Sequence, residues 1–240
     1  QDGDPDLLIV NMQTQTDSFF RNEGTYFVDV TSRYGLAAIS RKRTRFGVVA
    51  ADFNNDGVVD LFEANGRVDG NPADPGNPFA EVNVLMTGTH NALGEFRFVE
   101  VARGQKKTKH TSRGLAMGDF DDDGGIDLVV VNRDGPVQLL MNQTGRDRDW
   151  VRLRLLTADG RDAHGAGVTL VRGDETRYGR VQVAASYASA HDPRVHFGLA
   201  NASTARDVRV RWPGGLEEMF GDFDAGATHE LIAGQGTVSR

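Results

Sequence analysis

The chain has no cysteine among its 240 residues, which excludes disulfide scaffolds and thiolate zinc sites. Long apolar runs are also missing. Stretches such as Leu7–Val10 are a few residues long, far short of the ~20 needed to cross a bilayer, so no membrane span is expected. Basic residues are outnumbered, 27 against 34 acidic ones, and the net charge of -7 argues against a nucleic-acid protein. None of the six histidines stands in a His-Glu-x-x-His spacing, and there is no nucleophile elbow or phosphate loop. Glycine, by contrast, is abundant at 29 residues. Each glycine inside a helix costs roughly 1 kcal/mol relative to alanine, so helical bundles and coiled coils are disfavoured. Mean hydropathy is low, -0.42. The length suits one large domain or two small ones at ~100–200 residues each.

The chain repeats itself. Thr44–Leu61 (TRFGVVAADFNNDGVVDL) aligns without a gap on Thr111–Leu128 (TSRGLAMGDFDDDGGIDL). A partial third copy opens the chain, where Asp2–Leu7 (DGDPDL) matches Asp56–Leu61 (DGVVDL). Each unit reads as an apolar strand, an acidic glycine loop, a second strand, Asn/Gly turns and a Phe-Val strand such as Phe27–Val30 or Phe98–Val101. Short strands repeating every ~50–70 residues indicate propeller blades rather than a helical solenoid. A turn-rich insertion with three prolines, Gly70–Pro78, separates the two full copies. From Trp150 onward the pattern changes. Val151–Leu155 and Val208–Trp212 alternate apolar and charged residues, as half-buried antiparallel strands do. A domain boundary is expected in the polar segment 143–149, giving blades over 1–148 and a second domain over 149–240.

The acidic loops have the chemistry of a calcium site. Asp52, Asn54, Asp56 and Asp60 occupy loop positions 1, 3, 5 and 9, Gly57 at position 6 permits the sharp turn, and Val58 at position 7 offers its carbonyl. The second loop supplies Asp119, Asp121, Asp123, the Gly125 carbonyl and Asp127. Asp2, Asp4 and Asp6 form the partial third site. An all-oxygen set of this size suits Ca2+, whereas magnesium demands tighter octahedral geometry and keeps its waters. One such stretch is ordinarily just a turn, but matched copies point to a metal. Glu63 falls at the position of an EF-hand's bidentate ligand. Val130 stands there in the second loop, however, and the flanks are β-prone, so the calcium is expected between strands rather than helices.

Phe46-Gly47 followed by Asp52–Asp60 resembles the FG-GAP repeat of integrin α-subunit propellers and the VCBS repeat of bacterial secreted proteins. The resemblance implies a calcium loop joining two strands of one blade, and a ring of seven blades when complete. Arg161–Gly167, Ser186–Leu199 and Val208–Gly215 are similar to the ASPIC/UnbV domain that follows such repeats in the cartilage acidic protein family. Two departures stand out: His164 replaces an apolar residue, and Ala200 a glycine. Two and a half units cannot close a ring, and the chain opens inside a motif at Gln1, so blades and a signal peptide upstream are expected.

Several other features have two readings. His191, Arg194 and Tyr187 suggest a cleft for an acidic sugar or acid/base chemistry. The plainer reading places His191 in a turn and packs His196 beside Phe197 with local hydrogen bonds. Arg41–Arg45 and Lys106–His110 precede the two inner strands, either as solvated loops or as a face for polysaccharide or an acidic protein. The sequons at Asn142 and Asn201 are uninformative, and Trp212 reads as a core or edge residue. The expectation is an all-β protein: a partial propeller followed by a small antiparallel β-sandwich-like domain. It would act as a non-enzymatic, extracellular or periplasmic calcium-binding module for adhesion or assembly. Its partner would be a protein or acidic polysaccharide on the loop rim, or a larger surface assembly of which it is a subunit. The alternative is a secreted polysaccharide-acting or biosynthetic enzyme with a pocket at the propeller axis or domain junction.

Overall fold

The computed structural model describes residues 3–101 and 108–238. Among the described residues there are twenty strands and one short helix, and the strands up to Leu140 follow the repeat. The first sheet joins β1 (Leu7–Ile9), β2 (Ser18–Asn22) and β3 (Phe27–Asp29), and the helix α1 (Leu36–Ser40) leads from it to the second. That second sheet is a four-stranded meander of β4 (Arg45–Ala51), β5 (Asp60–Asn65), β7 (Val84–His90) and β8 (Phe96–Glu100), while the short β6 (Glu81–Val82) pairs with β9 (Lys109–His110). The third contains β10 (Ser112–Gly118), β11 (Asp127–Asn132) and β12 (Gln138–Leu140). All pairings in these sheets are antiparallel.

The repeat in sequence is a repeat in register. Ala51 pairs with Asp60 as Gly118 does with Asp127, and both inner strands carry a bulge at the same place, Arg45/Gly47 and Ser112/Gly114. Consecutive sheets stack face to face as blades. Leu36, Leu61, Met86 and Phe98 fill the space between the first and second, joined by Leu8 and Phe19. Val49, Phe62, Leu115, Leu128 and Val130 fill the space between the second and third. β4 and β10 run side by side, so close that a Cβ on Gly47 would strike Leu115.

The remaining strands form a sandwich. One sheet has the order β16 (Val195–Ala200), β13 (Asp149–Leu156), β19 (Ala227–Ile232). The other has the order β15 (Glu175–Arg180), β14 (Gly167–Arg172), β17 (Thr204–Arg211), β18 (Glu217–Asp224), β20 (Thr237–Val238). Their inner faces share one core built on Val151, Leu153, Val168, Leu170, Phe197 and Val210. Trp212 belongs to it, with its indole N–H donated to buried Glu218 Oε2 at 2.6 Å. The sandwich is antiparallel except at one pair: β19 runs parallel to β13. β19 arrives from the opposite sheet through Ala225-Gly226 rather than by a hairpin from β13, so no tight turn forces the antiparallel direction.

Candidate metal centres

The two acidic loops, between β4 and β5 and between β10 and β11, follow one path. Position 4 is left-handed in both (Asn55 φ 56°, Asp122 φ 56°), as is position 6 (Gly57 φ 85°, Gly124 φ 87°). Position 1 folds its carboxylate back over the turn. Asp52 accepts N–H bonds from Asp56 (3.1 Å) and Gly57 (2.6 Å), and Asp119 accepts them from Asp123 (3.2 Å) and Gly124 (2.8 Å). Position 5 accepts from position 7: Val58 N–H to Asp56 and Gly125 N–H to Asp123, both 2.8 Å. Asn54 Oδ1 accepts a further bond from Asp56 N–H at 3.0 Å.

Position 9 ties each loop to the third strand of its sheet or to the residues just past it. Asp60 accepts from Gly88 N–H (2.9 Å) and Asp127 from Asn142 N–H (2.7 Å). The partial copy does the same, with Asp6 accepting from Asn22 N–H at 2.8 Å. Gly3 there is left-handed too (φ 100°), matching Gly57. Asp4 and Asp6 are exposed, and Asp2 lies outside the described residues.

The donor set suits a hard cation. Asp119, Asp121 and Asp127 each bring a carboxylate oxygen within 4.8 Å of the others, a span that one ion with ~2.3–2.6 Å oxygen bonds can bridge. Asp123 is not part of that cluster and is held by Arg146 at 2.5 Å. The first loop brings no such trio together. Asp60 is turned toward Gly88 N–H and Thr87, and Arg148 stands 3.9 Å from Asp56. Burial pushes the Asp52 carboxyl up to about 6, with Asp56 and Asp60 adding like-charge repulsion. Burial also raises Asp60 and Asp127. A bound cation would relieve this cost in each loop. Glu63 is no ligand: it is buried on β5 near Asp17 and Arg45.

The sandwich sits on this rim. A Cβ on Gly57 would collide with the Arg172 guanidinium, on Gly124 with the Trp150 indole, and on Gly3 with the Tyr178 ring. Each loop tip is glycine partly because a side chain from the sandwich covers it. Arg172 donates to the Asp56 carbonyl at 2.9 Å. Arg152, with 2% of its side chain exposed, places Nη1 2.7 Å from Asp119 Oδ2 and Nη2 2.9 Å from Asp122. Its Nη1 contact lies outside hydrogen-bonding alignment and is an ion pair.

Asn55, 1% exposed, is the hub of this junction. Its Nδ2 donates to the carbonyls of Gly124 (3.1 Å) and Gly145 (3.3 Å), its own carbonyl accepts from Ala200 N–H (3.0 Å), and its Oδ1 lies 2.7 Å from His196 Nε2. Oδ1 can only accept, so Nε2 carries the hydrogen. Burial, with Arg152 nearby, lowers His196 to about 3. His196 therefore bonds across the junction rather than locally. The segment 143–149 is bound as well: Thr144 Oγ1 donates to Phe53 O (3.0 Å) and Arg148 to Asn54 O (2.9 Å). Sequence reasoning missed Asn55 because position 4 is not a ligand position; its buried amide acts through partners far along the chain.

The suggested cleft of Tyr187, His191 and Arg194 does not assemble. Tyr187 packs edge-on against Phe46 at 5.1 Å, and buried His191 accepts Met117 N–H through Nδ1 at 3.3 Å. Arg194 alone lines the cavity at the junction. The basic run 41–45 is only partly a surface. Arg41 and Lys42 are exposed, Arg43 reaches Glu100 at 3.1 Å, and Arg45 is fully buried against Asp17 at 2.6 Å. Of the second run, Lys109 pairs with Asp74 at 3.3 Å, while Lys106 and Lys107 lie outside the described residues. Among the described residues no helix is long and apolar enough to cross a membrane.

Ala200, where the family resemblance places glycine, keeps the left-handed conformation (φ 55°) that its bond to Asn55 requires. The FG-GAP-like repeat family model matches residues 1–63, and the ASPIC and UnbV model matches 156–238. Cartilage acidic protein 1 of Mus musculus is 28% identical over 173 residues, and that of Xenopus tropicalis 28% over 174. The Homo sapiens protein is 27% identical over 173 residues. Each match covers 70% of this chain and 25% of the relative, so the chain spans about a quarter of the length of the curated relatives it matches. The chain thus joins a region that matches the FG-GAP-like repeat to one that matches the ASPIC and UnbV model, in an all-β fold, and its sequence is similar over 70% of its length to Cartilage acidic protein 1.

Proposed function

We propose that the protein is an extracytoplasmic, non-enzymatic binding or assembly module whose loops hold Ca2+. Residues 1–148 are an arc of propeller blades, and 149–240 form the domain that caps their loop rim. The observation that carries this is the shared path of the two loops, together with the convergence of Asp119, Asp121 and Asp127 in the second. The first site would use Asp52, Asn54, Asp56, the Val58 carbonyl and Asp60. The second would use Asp119, Asp121, Asp123, the Gly125 carbonyl and Asp127, with Asp2, Asp4 and Asp6 offering a third. The ion would supply fixed positive charge that neutralises buried carboxylates; the chain's own residues do the rest by orienting loop and sandwich.

Millimolar calcium outside the cell would fill even sites of ~10⁻⁴ M affinity, which favours that compartment. The sandwich covers the three loop tips, so the arc's partner surfaces are its outer faces and the rim left open. Apolar side chains exposed on the end sheets support the larger-assembly reading, among them Ile9 and Phe27 on the first and Val131 and Leu139 on the third. Calorimetric titration of the metal-free chain tests the proposal. Two or three calcium ions per chain, with the loss of one in Asp119→Asn, would support it; no saturable heat would refute it.

A further inference from the structure

A cavity of about 250 Å³ opens at the junction, where β4 and β10 meet β15 and β16. Its charges do not balance. Arg152, Arg177, Arg180 and Arg194 line it against two carboxylates, Asp52 and Asp192. Arg152 is neutralised by Asp119, and Arg194 grips Asp192 through Nε (2.8 Å) and Nη2 (2.5 Å). Arg177 and Arg180 have no such partner. Arg177 reaches Glu175 Oε2 only at 3.5 Å, and Arg172 already holds that oxygen at 2.6 Å. Arg180 has no carboxylate within 4.0 Å among the described residues. Asp52 accepts hydrogen bonds from the backbone of its own loop, and its charge acts on Arg177 only at longer range.

A planar guanidinium fork matches a carboxylate, and Arg177 and Arg180, which leave opposite faces of the edge strand β15, line the cavity from the two sides of that strand and favour an anion over water. The rest of the wall includes the Tyr178 ring, the Gln182 amide and two glycines, Gly179 and Gly198. An aromatic face and an amide suit a hydroxylated ring. The volume lies below the ~300–1,000 Å³ of a drug-sized site, which limits the occupant to about one such ring. We propose that this cavity binds a small hydroxylated carboxylate of the size of one uronic acid residue, held through Arg177 and Arg180. The cavity shares Asp52 with the first proposed calcium site, but the two arginines belong to the sandwich, and titrations in calcium and in EDTA keep the two readings apart.

The test is calorimetric titration of the full chain with D-glucuronate, D-glucose and sulfate at matched ionic strength, run in calcium and again in EDTA. Glucuronate should bind one site in either buffer while glucose gives no heat. Arg180 is exposed, so Arg180→Gln should keep the wild-type melting temperature and weaken glucuronate by about tenfold, ~1.4 kcal/mol. Arg177→Gln with Arg180→Gln should abolish binding. Sulfate binding as tightly as glucuronate, with glucose silent, would keep the oxyanion site and assign it to sulfate esters. The proposal is overturned by an absence of saturable heat for either anion up to about 10 mM, by glucose binding equally well, or by wild-type affinity in Arg180→Gln.

Discussion

Replacing Arg152 by methionine separates the two roles assigned to the rim, metal binding and interdomain docking. Methionine fills similar volume but leaves Asp119, whose side chain is fully buried, without its counter-charge. Breaking a buried pair in this way costs ~3–5 kcal/mol. Loss of the 2.9 Å bond to Thr228 adds ~1 kcal/mol, and the contact with Asp122, whose side chain is 74% exposed, adds little. In EDTA the sum is about 5 kcal/mol. At ~2–4 °C per kcal/mol for a chain of this size, the melting temperature should fall by about 10–20 °C. In saturating calcium the ion supplies the charge that Asp119 lacks, and only ~1–2 kcal/mol should remain, about 5 °C. Thermal melts of wild type and variant in both buffers measure the difference. An equal drop in calcium and EDTA would mean that no cation reaches Asp119.

Other expectations follow from single groups. Asn55→Ala deletes both amide bonds to Gly124 and Gly145 and leaves His196 unpaired, so urea unfolding should show a loss of ~2–4 kcal/mol. Ala200→Gly removes a left-handed alanine and should stabilise by about 1 kcal/mol; an unchanged or lower midpoint would contradict the strain assigned there. Stability should peak between two pH limbs. His196, lowered to about 3, contributes stability that is full above its unfolded value near 6.5 and is lost as pH falls from there toward 3. Glu63 has the opposite sign. Its carboxyl is raised well above 4.5 by burial and by the neighbouring charge of Asp17. Its contribution is therefore full below 4.5 and declines as pH rises toward the folded value. Glu63→Gln should flatten the alkaline limb in urea melts across pH, and a slope identical to wild type would rule out a raised Glu63 carboxyl.

Much of this arrangement was legible in the chain because it repeats. The 67-residue displacement of Thr44–Leu61 onto Thr111–Leu128 carries over to register, bulge and left-handed positions, since each is set locally by glycine and by loop carboxylates. The alternation in Val208–Trp212 likewise marks the sandwich, because period-two burial is a property of one strand. What local pattern cannot carry is which surfaces meet. Arg45 reads as part of a basic run, yet it is buried because Asp17, 28 residues earlier, faces it. His196 reads as a core histidine bonded nearby, and its partner is Asn55, 141 residues away. Gly57 and Gly124 are legible as turn glycines, but their second constraint, the Arg172 and Trp150 side chains above them, exists only once the sandwich has docked.

If the two loops hold calcium as proposed, the ion stabilises the fold. Thermal unfolding in calcium and in EDTA, for the wild type and for Asp56→Ala combined with Asp123→Ala, tests it most directly. Ligand linkage at ~100 times the dissociation constant is worth about 2.7 kcal/mol per site, so EDTA should lower the wild-type midpoint by ~5 °C or more. The double variant should lose most of that sensitivity. A wild-type midpoint that does not move when calcium is removed would mean that the loops hold no stabilising ion.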